Sequence, residues 1–215
     1  MTTKTTLRAE ILGRARRTAP AEPNTAPSSN TDHTLVPVRH RAEAAAIATQ
    51  VRALASSMGT VTLPALFVPT ALEPDLSLTL NLFPRALLPV LVNEAGAALG
   101  GPRWGRWEEG QALATPGRPP AQPTGSVLGP GALSNADLIL VPALAAGLDG
   151  ARLGQGGGWY DRALPHRRST APVVAVVFDD EVLPPGAIPL EPHDAHIDAI
   201  ITPTRTIHMQ RLSPA

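Results

Sequence analysis

Between Arg152 and Leu164 the chain reads RLGQGGGWYDRAL, with four glycines in five positions, an aromatic pair, and an aspartate beside an arginine. Glycine loses the most conformational freedom on folding. The run from Gly154 to Gly158 is therefore either a slack linker or a place where backbone must approach something closely. It follows the apolar run DLILVPAL and the short turn AAGLDG, and it precedes DRALPHRR, which can open a helix. Glycine-rich backbone entering a helix start directs N–H groups at an anion and favours a phosphate-bearing ligand. A tight turn packing strand onto helix is the alternative. The spacing matches neither G-x-G-x-x-G at a first strand–helix turn nor G-x-x-x-x-G-K-[ST].

Other residues could also do chemistry. The chain has seventeen arginines and a single lysine, Lys4. A lysine that survives such a bias marks a position where a compact point charge serves and a flat guanidinium does not; chance persistence near the chain start is the competing reading. Lys4 and Arg8 lie one turn apart on one helix face. His193, Asp194 and His196 form an H-D-x-H cluster, but zinc would need further ligands and there is no cysteine to supply one. Asp179 and Asp180 follow PVVAVVF, where sheets often bind ligands, or they are solvated loop acids. Asp198, before the run AII, reads as a structural carboxylate at a strand entry. Trp104 and Trp107, with Arg103 and Arg106, either cover a ligand or pack beneath a long loop. No Ser-His-Asp order with a nucleophile elbow occurs.

These residues need elements to hold them. Leu7, Ile11 and Leu12 predict an amphipathic helix over 3–17, and Ile47, Val51 and Leu54 predict one over 39–57. VTLPALFVP (61–69) reads as a strand weakened by Pro64, and EPDLSLTLNL (73–82) as a helix with Pro74 near its first position. ALLPVLV, DLILVPAL, PVVAVVF and DAIIT are apolar on both faces, as in a sheet covered on each side. Their alternation with helices argues an α/β layer fold. Residues 18–38 read as a Pro-rich loop and 93–136 as a long loop region, of the kind that is usually functional or disordered.

Composition narrows the classes. Hydrophobic residues at 43% suit a globular domain, and with 215 residues one substantial core is feasible. The 18 basic residues balance 18 acidic ones, so bulk charge points to neither nucleic acid nor membrane as partner. The absence of cysteine excludes disulfides and thiolate chemistry. No secretory core or membrane-length apolar run is present, which predicts a cytoplasmic protein.

The composite pattern R-L-G-x-G-G-G-x-Y-D-R after D-L-I-L-V-P-A-L-A resembles the signature of the 5-formyltetrahydrofolate cyclo-ligases, or methenyltetrahydrofolate synthetases. The likeness continues in order: K-x-x-L-R from Lys4 to Arg8, F-x-P-x-x-x-E through Phe67, Pro69 and Glu73, and P-H-D-A-H-I-D-A-I-I-T at 192–202. It implies a single cyclo-ligase domain over 1–215. The fold would be three-layer α/β with a central, largely parallel sheet flanked by helices, like that of sugar-phosphate isomerases and CoA transferases. The implied activity is ATP- and Mg²⁺-dependent cyclisation of the small molecule 5-formyltetrahydrofolate to 5,10-methenyltetrahydrofolate, by a monomer.

Roles follow from the resemblance. Lys4, Arg152 and Tyr160 would be catalytic. ATP would be bound by Lys4, Thr5, Thr6, Leu7 and Arg8, and by Arg152, Leu153, Gly154, Gln155, Gly156, Gly157, Gly158, Trp159 and Tyr160. Folate would meet Val68, Glu73, Gln155, Gly156, Gly157, Gly158 and Trp159, with Glu73 accepting from the paired N–H groups of the pterin. Asp161 and Asp194 would hold Mg²⁺. Two positions depart from the pattern. Gln155 stands where many members have arginine, a lost cation that Arg162 or a middle-loop arginine would replace. Trp159 stands where a tyrosine is common, which keeps a stacking face and loses a hydroxyl. A non-catalytic nucleotide- or folate-binding homologue and a sugar-phosphate isomerase-like enzyme are the alternatives.

Overall fold

Leu138–Pro142 and Val173–Val176 are buried along almost their whole length. Side chains alternate across a strand, so both faces of the sheet that holds them must be covered. The computed structural model describes residues 3–18, 38–117, 120–191 and 194–209. In chain order it has helices α1 (Lys4–Thr18) and α2 (Val38–Ser57), strand β1 (Pro64–Ala65), helix α3 (Ser77–Leu80), and strands β2 (Arg85–Pro89) and β3 (Trp104–Glu108). Short strands β4 (Leu113–Ala114), β5 (Gln122–Pro123) and β6 (Val127–Leu128) and a 3-10 turn at Pro130–Asn135 follow. Then come β7 (Leu138–Pro142), β8 (Ala145–Gly147), β9 (Arg152–Leu153), α4 (Trp159–Ala163), β10 (Val173–Val176), β11 (Val182–Leu183), β12 (Ala199–Ile201) and β13 (Thr206–His208).

The main sheet has the order β13-β12-β10-β7-β1-β2-β3-β6. Its central strands, β12 through β2, are parallel, and β13, β3 and β6 add antiparallel edges. Ile139, Val141, Val173 and Ala175 pack with Leu133, Trp104 and Leu164 in one layer. Their neighbours Leu138, Leu140, Val174 and Val176 pack in the other, beneath Ile47, Val51 and Leu54 of α2. The expected α/β architecture is therefore present, and for the expected reason. The chain winds outward from β1 to β2 and β3 on one side, and from β7 to β10 and β12 on the other. The order thus reverses between β1 and β7, and an open sheet of this kind has its ligand crevice at the carboxyl ends of the strands flanking that reversal.

Several expectations shift. The run 61–69 keeps only Pro64–Ala65 as strand, although the Leu66 amide still donates to the Leu87 carbonyl at 2.9 Å. The helix expected over 73–82 shrinks to Ser77–Leu80. Glu73 instead closes a turn, its amide donating to the Thr70 carbonyl at 3.1 Å while its carboxylate accepts from the Thr70 amide at 2.8 Å. The region 93–136, read as loop, contains β3 to β6, and β3 pairs with β2 over five residues. Gly105 lies within β3 because a Cβ there would come within 2.9 Å of Pro123. The helix expected from DRALPHRR begins instead at Trp159 and ends at Ala163, followed by a 3-10 turn through Pro165. The Pro-rich loop reading lies mostly outside the described residues.

Trp104 and Trp107 are buried in the two core layers, which supports packing over ligand cover. Asp198 accepts from the Val173 amide at 2.9 Å, a structural carboxylate at the entry to β12. Asp179 accepts from the Thr202 hydroxyl at 2.6 Å and the Thr204 hydroxyl at 2.5 Å. It ties the turn after β10 to the one after β12.

Candidate functional site

A cavity of about 880 Å³ opens where the winding reverses. Phe67 and Val68, just beyond β1, line it from one side, and Pro142 and Ala143, at the end of β7, from the other. Helix α1 closes one flank. Its Leu7, Ile11 and Leu12 pack against Leu144, Leu153 and Ile188, which turns Lys4 and Arg8 towards the cavity. Arg8 Nε donates to the Gly154 carbonyl at 2.8 Å, fastening helix to glycine loop.

Of the residues singled out from the sequence, Lys4, Thr5, Arg8, Val68, Glu73 and Arg152 line this one cavity, as do Asp161, Asp194 and every residue from Gly154 to Tyr160. Thr6, Leu7 and Leu153 do not; Leu7 and Leu153 spend their side chains on the apolar cluster beneath α1. His193 lies outside the described residues. His196 is exposed, and with His193 outside the described residues the H-D-x-H reading is not tested by them.

The glycine loop divides by physical need. Gly156 and Gly158 have φ of +97° and +61°, a conformation that disfavours any side chain. Gly157 has an ordinary φ, and a Cβ there would meet nothing within 4 Å. Neither backbone nor packing explains it. Helix α4 has only five residues, so its dipole adds little, and the loop's own N–H groups are what could meet an anion here.

Charges around the cavity come in pairs. The Lys4 ammonium donates to the Asp194 carboxylate and lies 3.9 Å from Glu191, with both Lys4 and Asp194 side chains about nine-tenths buried. Arg152, 8% exposed, donates to Asp161 at 2.7 Å, and its guanidinium lies 5.6 Å from the centre of the Tyr160 ring. The Trp159 ring meets Trp104 edge-on at 5.0 Å and Tyr160 at 4.8 Å. On the far wall Glu73 accepts from Gln155 Nε2 at 2.8 Å. Burial pushes the Tyr160 hydroxyl far up, the charge of Glu73 adds to this, and Arg152 opposes it. Tyr160 therefore remains a phenol, able to donate a proton in a hydrogen bond and unsuited to act as a base.

Four buried polar atoms on cavity-lining residues have no partner among the described residues: Arg152 Nε, Trp159 Nε1, Tyr160 OH and Thr70 Oγ1. A buried donor left unpaired costs about 1–3 kcal/mol. Four beside one cavity mark a site shaped for a polar ligand with many acceptors. Thr70 and Gln122 were not visible as site residues in the sequence. Gln122 holds the segment after β2 in place, accepting from the Leu91 amide at 3.0 Å and donating to the Val92 carbonyl at 2.8 Å. For Thr70, its closeness to Pro69 and Glu73 was the available signal.

Asp161 and Asp194 offer two hard carboxylates on one cavity, a set that fits Mg²⁺, which binds through one or two carboxylates together with phosphate oxygens and water. It does not suit a metal that needs an all-protein cage.

Close to Glu73, Glu181 accepts from the Phe178 amide at 2.9 Å. Burial, chiefly, with the charges of Asp180 and Glu73, pushes its carboxyl from 4.5 up to about 7, against that hydrogen bond. The folded state thus holds this proton more tightly than the unfolded chain. The associated stability is fully present below pH 4.5 and is lost as pH rises through about 7. Glu181→Gln should therefore melt about 3 °C or more above the parent at pH 8 and level with it near pH 4. Equal melting at pH 8 would refute the burial argument.

The chain resembles known proteins along most of its length. A family model described as the 5-formyltetrahydrofolate cyclo-ligase family matches residues 1–203. The 5-formyltetrahydrofolate cyclo-ligase of Mycolicibacterium smegmatis is 43% identical over 147 residues, covering 66% of this chain and 73% of that one. The mitochondrial 5-formyltetrahydrofolate cyclo-ligase of Arabidopsis thaliana is 37% identical over 79 residues, 33% of this chain and 28% of that one. Among solved structures, the 5,10-methenyltetrahydrofolate synthetase of Aquifex aeolicus superposes with a TM-score of 0.68 at 20% identity, covering 99% of this chain and 95% of that one. That of Mycoplasma pneumoniae gives 0.60 at 18% identity, covering 92% and 97%. Among the described residues no helix is long and apolar enough to cross a membrane. With its parallel sheet, its glycine loop and a match along nearly the whole sequence, the chain belongs to the 5-formyltetrahydrofolate cyclo-ligase family.

Proposed function

We propose that this chain closes 5-formyltetrahydrofolate to 5,10-methenyltetrahydrofolate at the expense of ATP, with Mg²⁺. The observation that carries the reading is convergence. Lys4 from α1, Arg152 from β9, Gly157 from the glycine loop, two carboxylates and Glu73 all line one cavity. A formamide oxygen is a poor leaving group as hydroxide and a good one as phosphate. The γ-phosphoryl group passes from ATP to the formyl oxygen as its bond to the β-phosphate oxygen breaks and ADP leaves, N10 attacks the formyl carbon, and the N10 proton is lost. The activated oxygen then departs with phosphate, leaving the methenyl product, ADP and phosphate.

Such a transfer needs positioning and charge neutralisation more than covalent help. Lys4 and Arg152 supply the charge. Each is paired with an aspartate in the unliganded chain, so arriving phosphates would take over the cations and free Asp194 and Asp161 for Mg²⁺. When bound, that ion supplies neutralisation of the phosphate oxygens. Glu73 holds the pterin through its N–H edge, and Trp159 offers it a flat face. Tyr160, kept as a phenol, donates to a ligand oxygen.

Formation of the methenyl chromophore from 5-formyltetrahydrofolate, ATP and Mg²⁺ tests the reading, with turnover expected only when all three are present. Binding without turnover would make the chain a non-catalytic homologue. Turnover without ATP would overturn the phosphoryl-transfer mechanism.

A further inference from the structure

We infer that Gln155 is a positioning residue: its bond to Glu73 holds the glycine loop ready for nucleotide, so the folate-facing wall organises the nucleotide-facing one. The inference rests on the functional reading above and adds a coupling to it. Gln155 Nε2 reaches Glu73 Oε1 at 2.8 Å across 82 positions of sequence. The second carboxylate oxygen takes the Thr70 amide at 2.8 Å, and Glu73 is 8% exposed. Both oxygens are thus held, and the carboxylate is a fixed anchor rather than a swinging one.

The loop needs such an anchor. Gly154, Gly156, Gly157 and Gly158 make it the segment with most backbone freedom to lose on ordering. Two long arginines grip its carbonyls, Arg8 at Gly154 with 2.8 Å and Arg162 at Gly157 with 3.1 Å. Among the described residues, Gln155 is the loop side chain that bonds across to the opposite wall. A hydrogen bond to an ionised acceptor is roughly twice as strong as a neutral one. Because the donor is an uncharged amide, it orders the loop while leaving the negative charge of Glu73 available to N–H donors of a ligand.

The test is binding of a non-hydrolysable ATP analogue with Mg²⁺ and no folate, by calorimetry on the full chain. Glu73→Leu should weaken binding about tenfold, or roughly 1.4 kcal/mol. This is opposite to simple electrostatics, since removing an anion from the cavity should tighten an anion's binding. Gln155→Leu should lose a similar factor, and the double variant no more than either alone, the signature of one shared interaction. Glu73→Gln keeps an acceptor oxygen and should recover most of the loss. Unchanged or tighter analogue binding by Glu73→Leu, or additive losses, would overturn the coupling. If the parent binds no analogue, the functional reading itself fails and this inference falls with it. Hydrogen exchange of peptide 152–160 in unliganded Gln155→Leu does not depend on the Glu73 variant folding. Faster exchange than in the parent supports the anchor, and equal exchange refutes it.

Discussion

Replacing Lys4 with methionine lowers kcat/KM for ATP by about a hundredfold or more, with a much smaller change in folate affinity. The expected size reflects one charged contact to a phosphate, about 1.5–3 kcal/mol, in a cavity where water cannot substitute for it. The side chain is largely buried and faces Asp194 and Glu191, so the substitution also removes the cation of that ion pair. Breaking a buried pair from one side destabilises strongly, and the variant should melt lower. Comparing the two substrates in the folded variant separates the effects, because a purely structural loss would weaken both alike. Equal losses for ATP and folate would reduce Lys4 to a structural ion pair.

Gly157→Val has the opposite profile. Its backbone angle is ordinary and the position of its would-be Cβ is open. A side chain there strains nothing in the unliganded chain, and losing glycine's freedom in the unfolded state favours folding by about 0.4–1 kcal/mol for the smaller alanine change. Melting temperature should stay level or rise slightly. ATP affinity should fall on the order of a hundredfold if, as proposed, a phosphate is drawn close to the bare backbone N–H groups there. Gly156→Val, at φ +97°, should lower both stability and binding and serves as the contrast. An unchanged KM for ATP in Gly157→Val would remove the loop from the nucleotide site.

How much of this was legible in the sequence depends on what determines each feature. The strands β7, β10 and β12 were readable because residues apolar on both faces can belong only to a covered sheet. The glycine run was readable because so costly a composition has few other uses. Strand β3 was not, since its residues, WGRWE, owe their strand form to pairing with β2 and to the close pass of Pro123 over Gly105. The helix expected from Glu73 onward failed because the glutamate satisfies the Thr70 amide instead of starting a helical turn. Thr70, Gln122 and Glu181 look like ordinary surface polar residues until tertiary structure buries them, and burial is what gives each its role. The pairing of Gln155 with Glu73 is likewise a property of the closed crevice alone.

The seam beneath α1 has a consequence for how activity fails. Leu7, Ile11 and Leu12 attach the helix to a small cluster of its own, apart from the two layers that hold the main sheet. A segment docked on so little apolar contact opens at a lower free energy than the body of the domain. Lys4 and Arg8 leave with it. Warming should thus disarm the chain reversibly, through departure of its cation-bearing arm, while the β-scaffold underneath is still intact.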